Sequence, residues 1–146
     1  MKKIIFLLIA GLFFIDPPAF AEGVAVIVNA ESPIFTVGEN IELKEIKDIY
    51  LGKIRYRNGS LVKAVNHKDK EILRAFLKKA CAMDTDAYLL HWVKFELATG
   101  TNAPPVRDNS SEIISYIRDE KAGIGFVWAG EAKNTDGIRV VLLLTE

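Results

Sequence analysis

The sequence has very little cysteine. Cys81 is the only cysteine among the 146 residues, so the chain cannot form an internal disulfide and its stability must come from packing. The residues around this cysteine are apolar, namely Phe76, Leu77, Ala80 and Met83. Such surroundings predict a buried structural thiol rather than a reactive nucleophile.

The sequence also has few histidines and no net charge. His67 and His91 are the only histidines, and neither has a partner at metal-binding spacing, so we predict no metal site and no cofactor. The 19 basic residues balance the 19 acidic ones, and removal of Lys2, Lys3 and Asp16 would change the net charge only to −1. A balanced chain has no electrostatic footprint for nucleic acid or for an anionic membrane surface.

No arrangement of residues typical of catalysis is present. None of the serines lies in a strand-turn-helix elbow of the G-x-S-x-G type. The acidic pairs, Asp84 with Asp86 and Asp119 with Glu120, fall at the ends of predicted helices, where capping favours carboxylates. We therefore predict that the protein is not an enzyme.

The amino terminus predicts a cleaved signal peptide. Lys2 and Lys3 precede the apolar residues 4–15, and Ala19-Phe20-Ala21 has the small-x-small pattern of a cleavage site. The apolar run is much shorter than the roughly 20 residues that span a bilayer. We expect residues 1–21 to be the signal peptide and residues 22–146 to be one periplasmic or secreted domain, without membrane insertion after cleavage.

Hydrophobic periodicity predicts alternating strands and helices. The predicted strands are residues 24–29, 61–66, 123–128 and 138–144, and the predicted helices are residues 42–51, 69–80, 85–97 and a short helix capped by Asn109 and Glu112. This alternation indicates an α/β sandwich.

Three of these segments carry specific expectations about burial. The third helix has apolar side chains around more than half of its circumference, which predicts a central helix with Tyr88, Leu89, Trp92, Val93 and Phe95 pointing inward. The last strand is apolar at almost every position, which predicts burial on both faces. Residues 101–110 contain Pro104-Pro105 and no periodicity, which predicts the longest loop.

Two motifs resemble the phosphate-type periplasmic solute-binding proteins. Residues 41–59 follow the family pattern L..I.DIF.GKI..W.NG, and residues 123–127 match a GAIGYV strand. The first pattern is kept by Leu43, Ile46, Asp48, Ile49, Leu51, Gly52, Lys53, Asn58 and Gly59. The resemblance implies a single-lobe periplasmic-binding-protein-like sandwich with a small mixed sheet flanked by helices. It also implies transport of a small anion such as phosphate for an ABC transporter.

The chain departs from that family in size. Family members trap the ligand between two lobes joined by a hinge, and residues 24–143 correspond mainly to the second lobe and the hinge strands. We therefore expect half a site, which cannot close over an anion.

The chain also departs from the family at the expected anion site. Where the family has an Arg-x-x-Gly-Ser-Gly-Thr-like loop, this sequence has residues 66–74 without glycine or hydroxyl groups, and Asp69 and Glu71 place carboxylates at a helix start. His67, Lys68 and Arg74 remain as candidate ligand-binding residues, so anion binding is expected to be weak or absent. The alternative is a solvated helix start with an ion pair between Arg74 and Glu71.

Two functional classes follow from these departures. One is a reduced solute-binding protein that captures a small anion. The other is an envelope interaction or sensory module that uses the uncovered lobe face, with Trp128 as the candidate contact for a partner protein or a second copy.

Overall fold

The computed structural model describes residues 23–145, so the predicted signal peptide lies outside the described residues. The strands are Val24–Asn29 (β1), Tyr56–Arg57 (β2), Ser60–Leu61 (β3), Lys63–Ala64 (β4), Asn66–His67 (β5), Val106–Arg107 (β6), Gly123–Trp128 (β7) and Ile138–Leu144 (β8). The helices are Leu43–Tyr50 (α1), Lys70–Phe76 (α2), Thr85–Thr99 (α3), Ser110–Asp119 (α4) and Ala129–Ala132 (α5), and α2 continues into a π-helical turn at Leu77–Cys81.

A mixed four-stranded sheet organises the lobe, in the order β4-β7-β1-β8. Strand β1 is antiparallel to both of its neighbours, whereas β4 runs parallel to β7. Because side chains alternate along a strand, β1 sends Val24, Val26 and Val28 into the core on one face and Ala25 and Ile27 into the core on the other. The predicted fold class, a small mixed sheet flanked by helices, is therefore confirmed.

The larger core is built around three aromatic rings. Phe126 of β7 stacks on Phe76 of α2 with ring centroids 4.0 Å apart, and the edge of Tyr50 meets both rings. The buried Tyr50 hydroxyl donates to the backbone carbonyls of Val65 and Ile124, at 3.1 and 3.3 Å. The Tyr50 side chain thus joins helix α1 to the sheet, and its buried hydroxyl has the hydrogen-bond partners that it needs.

Cys81 is buried at the end of the π-helical turn, as predicted. It is 1% exposed, and burial raises the pKa of its thiol to about 11. A thiol that stays protonated at neutral pH is a poor nucleophile.

The longest irregular segment is residues 30–42, so the prediction that residues 101–110 form the longest loop is wrong. Arg57 holds this segment in place, because its guanidinium contacts the carboxylates of Glu39 and Glu45 and the backbone carbonyl of Ile34. The hydrogen bond from Arg57 lowers the pKa of Glu39 to about 2. Sequence periodicity does not reveal such an anchor, since its partners lie far apart in the chain.

Helix α3 forms where predicted, but it is not central. Its Tyr88 and Trp92 are buried, whereas Leu89 and Val93 are each 55% exposed. The helix packs through one face only, where the indole N–H of Trp92 donates to the carbonyl of Tyr50. The prediction that Leu89 and Val93 point inward is wrong because apolar residues occupy both faces of this helix.

The burial predicted for the last strand is also wrong. Strand β8 lies at the edge of the sheet, and Val140 and Leu143 are 44% and 52% exposed. The predicted strand at residues 61–66 is broken into β3, β4 and β5, because each piece pairs with a different strand.

Candidate ligand-binding site

The candidate site lies at the carboxyl ends of the parallel strands. Since β4 and β7 point the same way, the chain leaving β4 through β5 and the chain leaving β7 through α5 arrive at the same edge of the sheet. In open, mainly parallel α/β sheets ligands bind at this edge, and in this mixed sheet the parallel pair of β4 and β7 defines it. The short strand β5 also pairs in parallel with β6, which places the starts of α2 and α4 beside each other.

Both of these helix starts are capped by groups of the chain itself. The Asp69 carboxylate accepts a hydrogen bond from the Glu71 N–H at 2.9 Å, and the Asn109 side chain accepts from the Glu112 N–H at 2.9 Å. An anion at either start would have to compete with these side chains. At α2 it would also meet the negative charge of Asp69.

His67 is buried between the two helix starts. Its Nδ1 accepts a hydrogen bond from the Asp69 N–H at 3.1 Å, so in the neutral ring the proton is on Nε2, which donates to Ser110 Oγ at 3.0 Å. Burial lowers the pKa of His67. His67 is therefore a neutral hydrogen-bonding group at neutral pH rather than a cation for an anionic ligand.

A chain of hydrogen bonds continues from His67 to α5. The Ser110 hydroxyl donates to Glu131 Oε1 at 2.9 Å, and the same oxygen accepts from the Trp128 N–H at 3.1 Å. This network joins β5, α4 and α5 and fixes the edge of the sheet. Our sequence reasoning missed Ser110 and Glu131, although the position of Glu131 three residues after Trp128 is the spacing of a helix-capping carboxylate.

The two candidate cations differ in their surroundings. Lys68 lies 3.5 Å from the Asp108 carboxylate, and both side chains are exposed, so the pair is weak. Arg74 is exposed and lies in the last turn of α2, with no ion pair among the described residues. The alternative of an Arg74–Glu71 pair is thus not seen.

Trp128 is less exposed than predicted. It ends β7, is half-buried, and packs against the larger core. On the opposite face of the sheet from the Trp128 ring, β8 and α5 form a depression of about 380 Å3, which is lined by Ala25, Ala129, Ala132, Lys133, Val140 and Leu143. The exposed apolar side chains of this region are Val140 and Leu143 of β8 rather than Trp128.

The part of the chain described by the structure has no cluster of three or more residues suited to a metal ion. It also has no helix that combines the length and apolar character needed to cross a membrane.

The α/β lobe of this chain has a fold that is found in solved structures of solute-binding proteins. Two solved structures share it: an ABC-type phosphate transport receptor from Vibrio cholerae, with 15% identity and a TM-score of 0.57, and a phosphate ABC transporter substrate-binding protein from Clostridium perfringens, solved with bound phosphate, with 21% identity and a TM-score of 0.60. The resemblance seen in the two sequence motifs is thus confirmed at the level of the fold.

The structural matches cover most of this chain but less than half of each solved structure. Each covers 82% of this chain, but only 45% of the Vibrio protein and 44% of the Clostridium protein. The chain therefore spans less than half the length of the structures that it resembles. No protein-family model matches the sequence, and no curated protein matches it either.

Proposed function

We propose that this chain is an extracytoplasmic binding module with the fold of a phosphate ABC transporter substrate-binding protein, and that it holds a small anion such as phosphate only weakly. The observation that supports this most directly is the Asp69 carboxylate at the start of α2. A helix start usually attracts anions, because its N–H groups and dipole favour negative charge. Here the chain supplies that negative charge itself.

The remaining donors are too few for tight capture. His67 is uncharged and bonded to Ser110, and Lys68 is beside Asp108. Tight anion sites combine several charge-assisted hydrogen bonds with exclusion of water. Of the three candidate residues, only Arg74 is an exposed cation without a carboxylate partner among the described residues, so a phosphate ion would remain largely hydrated.

Calorimetric titration with inorganic phosphate tests this proposal. We expect the unaltered protein to bind with a Kd of roughly millimolar order, and the double substitution Lys68→Ala and Arg74→Ala to abolish binding without changing the fold, since exposed charges contribute little to stability. The matched control is Lys53→Ala with Arg55→Ala, which removes one exposed lysine and one exposed arginine in the turn after α1. Submicromolar affinity in the unaltered protein, or unchanged affinity in the double variant, would contradict the proposal.

The geometry also argues against nucleophilic catalysis at the same site. A serine nucleophile needs a base that takes its proton. The His67 Nε2–H instead donates to Ser110, whose hydroxyl proton is directed at Glu131. Ser110 is held as a structural hydroxyl, which supports a binding role rather than an enzymatic one.

A second candidate function is docking of an envelope protein beside Trp128. The observation in its favour is the free outer edge of β8, with which no described strand pairs, next to the apolar depression lined by Val140 and Leu143. An unpaired strand edge can add an extended segment of a partner, whose side chains fill neighbouring pockets.

Pull-down from envelope extract, with cross-linking at β8, tests the docking surface. We expect Leu143→Lys to remove a captured partner while leaving the fold intact, because this side chain is 52% exposed. Trp128→Lys is expected to affect capture only through a loss of stability, since its ring packs against the core on the other face of the sheet. Leu61→Lys, a similar change at a 41% exposed leucine, serves as the control. Equal capture by all four proteins would exclude this surface.

Export is the remaining part of the proposal. We propose that the chain is cut after Ala21, because residues 1–21 have the charge, apolar run and small-residue pattern of a signal peptide. Intact-mass measurement of the protein from the extracytoplasmic fraction is expected to show a species that begins at Glu22 and carries no lipid. A species that retains residues 1–21 would refute export by cleavage.

A further inference from the structure

Strand β4 forms one edge of the main sheet, so one side of its backbone is not paired within that sheet. The N–H groups of Lys63 and Val65 face inward, where each donates at 2.9 Å to a carbonyl of residues 122–124. Alternate residues of a strand direct their N–H and C=O groups to opposite sides. The N–H and C=O of Ala64 therefore point outward, away from β7.

The outer edge on either side of Ala64 is already paired. Before it, the Val62 N–H donates to the Arg55 carbonyl at 2.9 Å. After it, the Asn66 N–H donates to the Pro105 carbonyl at 2.8 Å. Pro105 does not pair with Ala64 itself, because its nitrogen has no hydrogen to donate to the Ala64 carbonyl. An unpaired edge of about 13 Å remains between Val62 and Asn66, at about 3.3 Å per residue.

A cavity of about 570 Å3 lies beside this unpaired edge. It is lined by β4, by residues 99–105 and by apolar side chains that include Val62 and Trp92. Ligand pockets of roughly 300–1,000 Å3 typically combine apolar walls with a few polar groups that fix the orientation of the ligand. The Ala64 N–H and C=O are such groups, and they suit a peptide residue, which offers one acceptor and one donor.

Among the described residues, two cations line the cavity, and they differ in their surroundings. Lys63 is held by the Glu120 carboxylate at 3.0 Å. Arg55 is exposed and forms no ion pair with any residue that the structure describes. A guanidinium binds a carboxylate through two parallel hydrogen bonds. Because the Arg55 backbone closes one end of the unpaired edge, a ligand carboxylate at that end comes within reach of its side chain.

We propose that this cavity binds a short peptide with a free carboxyl terminus as an added strand on β4. One peptide residue donates its N–H to the Ala64 carbonyl and accepts from the Ala64 N–H, and the terminal carboxylate binds Arg55. Since Arg55 stands where β4 begins, the peptide runs antiparallel to β4. The unpaired edge holds about three residues, at about 3.3 Å each, with the central residue opposite Ala64.

The cavity shares no residue with the proposed anion site around Lys68 and Arg74 or with the depression beside β8. Inorganic phosphate is therefore not expected to displace the peptide. The double substitution Lys68→Ala and Arg74→Ala is expected to leave peptide binding unchanged. A failure of one proposal thus leaves the other intact.

Calorimetric titration with the tripeptide Ala-Val-Ala tests the proposal. We expect a Kd on the order of 0.1 mM, which is the usual affinity of a ligand of about 18 non-hydrogen atoms. The same peptide with a carboxyl-terminal amide is expected to bind about tenfold more weakly, because it lacks the charge that Arg55 recognises. Methylation of the valine nitrogen is expected to cost at least about tenfold, since it removes the donor to the Ala64 carbonyl.

Arg55→Gln separates the carboxylate contact from the rest of the site. This variant is expected to bind the free acid about tenfold more weakly and the amide unchanged, so that it no longer distinguishes the two peptides. Arg74→Gln, the same change at another exposed arginine, is the control and is expected to bind both peptides like the unaltered protein.

Octanoate distinguishes a peptide site from a general site for apolar carboxylates. It has a carboxylate and an apolar body but no amide, so we expect it to bind at least about tenfold more weakly than the tripeptide. Equal binding of octanoate or of the N-methylated peptide would show that β4 takes no part and would overturn the proposal. The absence of tripeptide binding at millimolar concentration, or an Arg55→Gln variant that still prefers the free acid, would overturn it equally.

Discussion

Replacing Phe126 with Ala is expected to destabilise the protein by about 3–5 kcal/mol. Phe126 is fully buried in β7, stacks on Phe76 at 4.0 Å and meets the edge of Tyr50. Its removal leaves a cavity where the sheet, α1 and α2 meet, and the neighbouring rings are too tightly placed to fill it. Domains of this size are stable by only about 5–15 kcal/mol, so much of the stability would be lost.

Urea denaturation followed by circular dichroism measures this effect. Val37→Ala is the control, because this side chain is 80% exposed and is expected to change stability by less than about 0.5 kcal/mol. A Phe126→Ala variant as stable as the control would mean that the cluster of Phe126, Phe76 and Tyr50 contributes little to the stability of the core.

The segments that were predicted correctly from the sequence have a clear local pattern of apolar residues. Helix α4 has Ile113 and Ile117 on its buried face and Asn109 as its cap, and strand β1 is a short run rich in β-branched residues that ends at Asn29. In such segments the local pattern and the tertiary environment agree, and the sequence alone is then sufficient.

The errors occur where local pattern does not distinguish the alternatives. Helix α3 is apolar on two faces, so periodicity does not tell which face enters the core, and only the contacts of Trp92 with the end of α1 decide it. An apolar run such as β8 is equally compatible with a central strand and with an edge strand. The order of strands in a sheet depends on contacts between distant parts of the chain, so the residues of β8 alone do not determine its position.

The candidate site was partly predictable for the same reason. His67 and Lys68 are candidates because of the resemblance to the solute-binding family, whereas the Asp69 carboxylate follows from the predicted helix start, and Asp69 does cap that helix. The network from His67 through Ser110 to Glu131 joins residues from three separate elements. Local spacing identifies Glu131 as a helix cap, but its contact with Ser110 depends on the tertiary fold and no local pattern predicts it.

Replacing Asp69 with Asn is expected to strengthen phosphate binding about tenfold. Asparagine caps a helix about as well as aspartate, so α2 should keep its start while losing the charge that opposes an anion there. A unit charge at 4 Å contributes about 1 kcal/mol in water and several times more near a protein surface, and about 1.4 kcal/mol corresponds to tenfold in affinity. Because the effect is electrostatic, it should diminish as salt is added.

The matched control for this change is Asp84→Asn. Asp84 caps α3 by accepting from the Ala87 N–H at 2.7 Å, so the control makes the same substitution in the same structural role at a helix start without the nearby cations Lys68 and Arg74. Phosphate titration of both variants at low and moderate salt separates a local effect from a change in net charge. If Asp69→Asn binds phosphate no better than Asp84→Asn, the Asp69 carboxylate does not limit anion binding. The proposed weak affinity would then have to follow from the solvent exposure of Lys68 and Arg74, since an anion that is not shielded from water is bound weakly whatever charge stands beside it.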